Sequence, residues 1–272
     1  MPLVNTQDML QHVYRYGYAV RAFGVAGWDI LEGVVEAAET MCAPVILSLS
    51  KSYPSTENIE SLALAVVGRA QRATIPISFQ VEVEKAIKPG CGGVVFDASQ
   101  HDFRDNVDLT KKAVGLVQLY GVMVVDQLGN LENGAATESV AGKSTSATEA
   151  RYYLERTGVA CLAVSFSRMK RGSVKHDFTC LAKINQTLGI PLGIHGGSGL
   201  PDDQFRRMIS FGAAKINYSP PLFDVIAQRI GQNAMTPDAS YAGLVEQTHD
   251  AIRSEVERCI RLWGCGCHSG AA

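Results

Sequence analysis

Eight short runs rich in β-branched and other apolar residues are spaced along the chain, and each gives way to a longer stretch with helical periodicity. The runs are YAVRAF (18–23), PVILSLS (44–50), PISFQV (76–81), GVVFDA (93–98), GVMVVDQ (121–127), CLAVSF (161–166), PLGIHG (191–196) and AAKINY (213–218). Between them, DILEGVVEAAETM, ENIESLALAVVGRAQRA, NVDLTKKAVGLVQLY, TSATEARYYLERTG, DFTCLAKINQTLG and PDDQFRRMISFG carry apolar residues at helical spacing, with polar starts and glycine stops. Strands that are apolar on both faces and separated by helices require a parallel sheet covered on both sides. Eight such units in 272 residues predict an α/β fold, a closed (β/α)8 TIM barrel, as one domain over residues 1–272. An open doubly wound sheet is the competing architecture, but no GxGxxG follows the first run.

The third unit departs from the pattern. Only EVEKAIKPGCG separates the third and fourth runs, so its helix is expected to be a turn or two at most, leaving a wall that is thin or covered by a partner subunit. The segment YAGLVEQTHDAIRSEVERCIRLWG (241–264) predicts a long amphipathic C-terminal helix outside the barrel count, followed by a tail at 265–272.

Charge argues against several function classes. Twenty-five basic and 27 acidic residues give a net charge of −2 without a long run of either sign, so neither nucleic acid nor an anionic membrane is the expected partner. No window reaches the roughly 18 apolar residues of a membrane span, and the start lacks a basic cap followed by an apolar stretch, so a cytoplasmic location is expected. The expected partners are a small molecule and further copies of the chain. Seven cysteines read as reduced thiols, with Cys42, Cys161 and Cys180 in the core. Cys265, Cys267 and His268 are zinc-type donors, but their CxCH spacing has no second pair nearby and reads as a tail.

In a (β/α)8 barrel the active site is built at the carboxyl ends of the strands. The polar residues at those ends are Ser48, Ser50, Glu82, Glu84, Asp97 to Ser99, Asp126, Gln127, Lys170, His195 and Lys215 to Ser219. GGSG after the seventh run and NYS after the eighth lie where such barrels bind phosphate, because glycine backbones can aim several amide hydrogens at one anion. The candidate binding set is Ser50, Gly196, Gly197, Ser198, Asn217 and Ser219. The alternative is that GGSG is only a turn before a helix at Pro201.

YAVRAF, APVILSLS, FDAS, LAVS, IHGGSGL and KIN, in this order and spacing, resemble the class II, zinc-dependent ketose-bisphosphate aldolases, with the tagatose-bisphosphate type nearest. The resemblance covers essentially the whole chain. It implies cleavage of a ketose bisphosphate into dihydroxyacetone phosphate and an aldehyde, or the reverse, by homo-oligomers (dimer or tetramer). In the family, zinc polarises the ketone, an aspartate moves a proton, and two glycine-rich loops hold phosphate.

The chain departs from that pattern at the metal. Where the family reads approximately HLDHH, this sequence has Gln80, Val81, Glu82, Val83 and Glu84. The proton-transfer aspartate becomes Glu82, and a zinc histidine becomes Val83. The family's EAELG-like motif aligns with Val125 to Gly129, leaving Gln127 at a glutamate position and Glu132 as the nearby substitute in the loop. The histidine after the sixth run aligns with Lys170, so only His195 remains of three zinc histidines. Catalytic zinc normally has three protein ligands. No metal site and no cofactor are therefore expected, although Glu82, Glu84 and His195 could bind a hard divalent ion. His195 then assists at the carbonyl as a hydrogen-bonding or acid/base residue, or is a retained core histidine.

Three functional readings follow. The leading one is a divergent lyase acting on a phosphorylated ketose or related carbonyl compound, with Glu82 and His195 catalytic. In a second, Lys170 forms a Schiff base with the ketone in place of zinc, although RMKRG also reads as a solvated basic loop that attracts anions. The third is a non-catalytic phosphosugar-binding or assembly subunit.

Overall fold

The computed structural model describes residues 2–49, 56–81, 90–128, 145–164, 167–170, 173–194, 201–236 and 239–263, with the backbone alone at 56–58, 126–128, 167–170, 173–175, 220 and 263. The elements run α1 (Thr6–Tyr16), β1 (Val20–Gly24), α2 (Trp28–Thr40), β2 (Val45–Leu49), α3 (Thr56–Gln71), β3 (Ile77–Val81), β4 (Gly93–Phe96), α4 (Phe103–Gln118) and β5 (Met123–Leu128). They continue with α5 (Ala147–Thr157), β6 (Cys161–Val164), β7 (Ser167–Lys170), β8 (Ser173–His176), α6 (Phe178–Leu188), β9 (Leu192–Ile194), α7 (Asp202–Ser210), β10 (Ala213–Tyr218), α8 (Pro220–Ala234) and α9 (Tyr241–Trp263). Eight strands close into one parallel barrel in the order β1-β10-β9-β6-β5-β4-β3-β2. All eight fall inside or beside the apolar runs, because each must be buried on both faces, and β1, β2 and β3 are buried at every position.

Three elements were not expected. α1 was legible in principle: the Asn5 side chain accepts from the Gln7 N–H at its start, and Gly17 takes a left-handed conformation (φ 72°) at its end. It closes the amino end of the barrel. The Ile77 N–H donates to the Pro2 carbonyl at 2.7 Å, the Val4 N–H donates to the Ile77 carbonyl at 2.8 Å, and the Thr6 and Ser78 hydroxyls share a hydrogen bond. α8 begins directly after β10, with proline in its first turn. The third is a change to the sequence reading: Ser167–Lys170 and Ser173–His176, read as part of a basic loop, are paired antiparallel strands, with Ser167 opposite His176 and Lys170 opposite Ser173.

The third unit is short, with only residues 82–92 between β3 and β4. Residues 82–89, where its short helix was expected, lie outside the described residues. The cysteine expectation needs correction. Cys161 is fully buried, but Cys180 is half-buried and Cys42 is exposed, with φ 49° just after α2. The turn ending α2 puts Cys42 outside the apolar layer that begins at Ala43.

α9 packs along α2 and α8 on the outside of the barrel. Ile252, Val256, Cys259 and Ile260 are buried there, and Gly33 of α2 permits the approach, since a Cβ on it would lie 2.7 Å from the Ile252 side chain. A buried polar cluster fixes the same seam. The Arg21 guanidinium, on β1, sits 3.3 Å over the Tyr218 ring of β10, and the Tyr218 hydroxyl donates to Glu255 of α9. Burial pulls Arg21 down to about 9, partly countered by Cys259, Tyr218 and Glu255 beside it. Burial alone would raise the Glu255 carboxyl, but hydrogen bonds from Arg258 (2.8 Å from each carboxylate oxygen) and Tyr218 outweigh it and hold the group below its usual range.

Because the folded carboxyl is depressed, this contribution is present above the unfolded value near pH 4 and is lost as pH falls through the folded one. Glu255→Gln should cost about 1 kcal/mol at neutral pH, and that cost should vanish in acid. Urea unfolding of both proteins down the pH scale measures this; a gap independent of pH contradicts it.

Candidate active site

Parallel partners share a face of the sheet, and successive residues alternate across it. On β10, Tyr218 faces outward to α9, so Lys215 and Asn217 face the barrel interior. Register then carries the interior face around the sheet: Val20 pairs with Lys215 and Ala22 with Asn217, Gly24 with Ser48, Ser48 with Gln80, and Gln80 with Gly93. A polar set thus accumulates inside an apolar barrel. Gln80 is 1% exposed, and its Nε2 donates to the Ser48 Oγ at 2.9 Å. The Gln80 Oε1 and the Ser99 Oγ are buried and accept or donate no hydrogen bond among the described residues. After β4, the Asp97 carboxylate accepts from the Ser99 N–H at 2.9 Å, tying the turn at the strand's carboxyl end.

Lys215 is buried at 1% exposure and its Nζ donates to Asn217 Oδ1 at 2.8 Å. Its charge is therefore held inside the barrel, pointed toward the carboxyl end by the amide two residues on. Cys161 lies within reach of that charge. Burial pushes its thiol up to about 12 despite Lys215, so it is a core thiol and no nucleophile. Ser219 is half-buried just past β10, directly against Gly24 at the end of β1: a Cβ on Gly24 would lie 2.6 Å from the Ser219 Cβ and 3.2 Å from Phe223 Cζ. Glycine is required there by close approach and not by φ.

Of the sequence candidates, Asn217 and Ser219 therefore come together at the carboxyl end of β10, beside Lys215 and Gly24. Lys170 is not at the end of a barrel strand: β6 ends at Val164, and Lys170 is the last residue of β7 in the antiparallel pair. Asp126 and Gln127 lie in β5, with Gln127 opposite Ala163 of β6. Ser50, Glu82, Glu84, Glu132, His195, Gly196, Gly197 and Ser198, and the tail with Cys265, Cys267 and His268, lie outside the described residues. The sequence reading missed Gly24 and the Gln80–Ser48 pair. Two polar residues at alternate positions of an otherwise apolar ISFQV strand were the available signal for the latter.

Among the described residues, no three His, Cys, Asp or Glu side chains are grouped to hold a metal ion. Nor does any helix of the described chain have the length and apolarity to cross a membrane.

The chain is thus a closed (β/α)8 barrel, with Lys215, Asn217 and Ser219 gathered at the carboxyl end of β10 beside Gly24 of β1. Residues 4–267 match the family model described as fructose-bisphosphate aldolase class-II, and the chain belongs to that family, whose members are carbon–carbon lyases. It is 31% identical over 233 residues to a probable fructose-bisphosphate aldolase of Bacillus subtilis strain 168, covering 80% of this chain and 81% of the relative. It is 29% identical over 260 residues to the uncharacterized protein YdjI of Escherichia coli K12, covering 91% and 92%. The crystal structure of the YdjI aldolase superposes with a TM-score of 0.86 at 26% identity over 98% of this chain and 99% of that one. A putative fructose-1,6-bisphosphate aldolase from Coccidioides immitis shares the fold, with a TM-score of 0.87 at 19% identity over 97% and 98%.

Gly24→Ala should displace Ser219 and weaken binding of a small phosphate ester by about tenfold, measured by titration calorimetry. Gly115→Ala, where a Cβ meets nothing within 4 Å, is the control. Unchanged affinity in Gly24→Ala would remove Ser219 from the binding set.

Proposed function

We propose that this chain is a divergent class II aldolase that cleaves or forms a carbon–carbon bond in a phosphorylated ketose without the zinc ion its family normally uses. The observation that carries the substrate class is the meeting of Asn217 and Ser219 with the buried Lys215 at the carboxyl end of β10, where barrels of this kind hold phosphate. In this reading the glycine-rich GGSG at 196–199, which follows β9 in the sequence, is the partner for the same anion.

Zinc does not fit the donors present. Two of the positions that match family zinc histidines are Val83 and Lys170. An isopropyl group offers no lone pair, and an ammonium repels a cation. Only His195 remains of the three family histidines, and the carboxylates Glu82 and Glu84 beside Val83 suit a hard divalent ion rather than the family's histidine-bound zinc. In the reading without zinc, the Glu82 carboxylate takes the proton of the substrate hydroxyl on the carbon to be released. The carbon–carbon bond then breaks, the released carbon becomes an aldehyde, and the bonding pair becomes the enediol double bond. Protonated His195 gives its proton to the former carbonyl oxygen as charge develops there. Protonated Glu82 then gives its proton to the enediol carbon while the enol proton returns to His195, which yields the phosphorylated ketone and restores both residues. Lys170, on β7 rather than a barrel strand, serves in this reading to attract the anionic substrate.

Metal analysis of the purified protein and assays with fructose and tagatose bisphosphates, with and without zinc and chelator, test this. Turnover should survive the chelator and fall by about a hundredfold or more in Glu82→Gln. Stoichiometric zinc with chelator-sensitive turnover overturns the metal-free reading. Binding of dihydroxyacetone phosphate without turnover of any ketose phosphate overturns catalysis, and a borohydride-trapped adduct on Lys170 transfers the electron sink to that lysine.

A further inference from the structure

On the outer wall of the barrel, α4 and α5 enclose a groove of about 510 Å³, within the usual range for a small-molecule site. Its α4 wall is a stripe at helical spacing: Phe103, Arg104, Val107 and Lys111. Tyr152 and Arg156, one turn apart on α5, form the other wall. Phe103 and Tyr152 meet at a ring distance of 5.9 Å, and the Arg156 guanidinium lies 5.2 Å from the Tyr152 ring centre. Tyr152 is nevertheless 46% exposed and Phe103 38%, which leaves aromatic surface open to a ligand.

Charge in the groove is unbalanced. Arg104, Lys111 and Arg156 form no ion pair with any described residue, and Asp108 is the one carboxylate among the lining side chains. Cations gathered in a concave, partly apolar cleft raise the local concentration of anions. The cleft is also preformed. Directly beneath it, the Tyr153 hydroxyl of α5 donates to Asn106 Oδ1 of α4 at 2.7 Å and shares a 2.7 Å hydrogen bond with the Thr110 hydroxyl. All three residues are buried, so the two helices are pinned at a fixed spacing and little ordering is needed on binding.

An open aromatic face beside guanidinium and ammonium groups is suited to a ligand carrying both a flat ring and phosphate. We propose that the α4–α5 groove binds a ligand of the nucleotide class, at a site separate from the barrel mouth. The groove is joined to the mouth by one short segment, since Phe103 starts α4 only a few residues beyond the Asp97–Ser99 turn.

Titration calorimetry of the full chain with adenosine diphosphate, adenosine and inorganic pyrophosphate tests the proposal. Adenosine diphosphate should bind saturably and more tightly than either control, and excess dihydroxyacetone phosphate should not displace it. Tyr152→Ala and Arg104→Ala should each weaken it by about tenfold, whereas Tyr152→Phe, which keeps the ring, should retain it. Both positions are exposed, and thermal melting confirms that the variants fold. Absence of saturable binding overturns the proposal. So does pyrophosphate binding as tightly as the nucleotide, indifference to both alanine substitutions, or displacement by dihydroxyacetone phosphate, which places the nucleotide in the barrel mouth.

Discussion

Closing eight parallel strands into a barrel gives every strand an inward and an outward face, and the register fixes which residue goes where. Inside, there is no bulk water to satisfy a polar group, so each one must pair with a neighbour or be presented toward the open end. Lys215 pairs with Asn217 and the Gln80 Nε2 with Ser48, while the Gln80 Oε1 has no partner among the described residues. The candidate chemistry of this chain follows from that constraint: polar residues gather at alternate positions near the carboxyl ends, while the apolar residues between them face the helices.

The outward face carries a second device. Arg21 and Tyr218 point away from the site, yet their neighbours in sequence, Ala22 and Asn217, line the interior. Stacking Arg21 on Tyr218 and tying Tyr218 to Glu255 fix the β1–β10 seam against α9. The same two strands bring Gly24 against Ser219, where a displacement on the order of 1 Å would matter to a bound anion. Stability on one face thus serves geometry on the other.

The barrel was legible in the sequence because its strands are apolar on both faces and its helices are capped. The β7–β8 pair was not, since Arg168, Lys170 and Lys175 break any apolar alternation and leave a pattern indistinguishable from a solvated loop. Cys42 misled for the opposite reason: its apolar neighbours signalled a core, but the turn after α2 carries it outward. That Asn217 and Ser219 stand at the carboxyl end of a barrel strand was legible from strand order alone. Gly24 needed the register, because what it permits is the approach of Ser219 on another strand's end; the alternation of Ser78 and Gln80 marked polar positions but not their partners.

The central claim is that the anion-holding part of a class II aldolase site persists where the zinc-holding part has been replaced. A crystal structure of the protein grown with zinc and soaked with dihydroxyacetone phosphate measures both at once through anomalous scattering. The account predicts phosphate against Asn217 and Ser219 with no anomalous peak at the His195 imidazole. A tetrahedral zinc ion bound to that imidazole, facing the ligand's carbonyl oxygen, would contradict it.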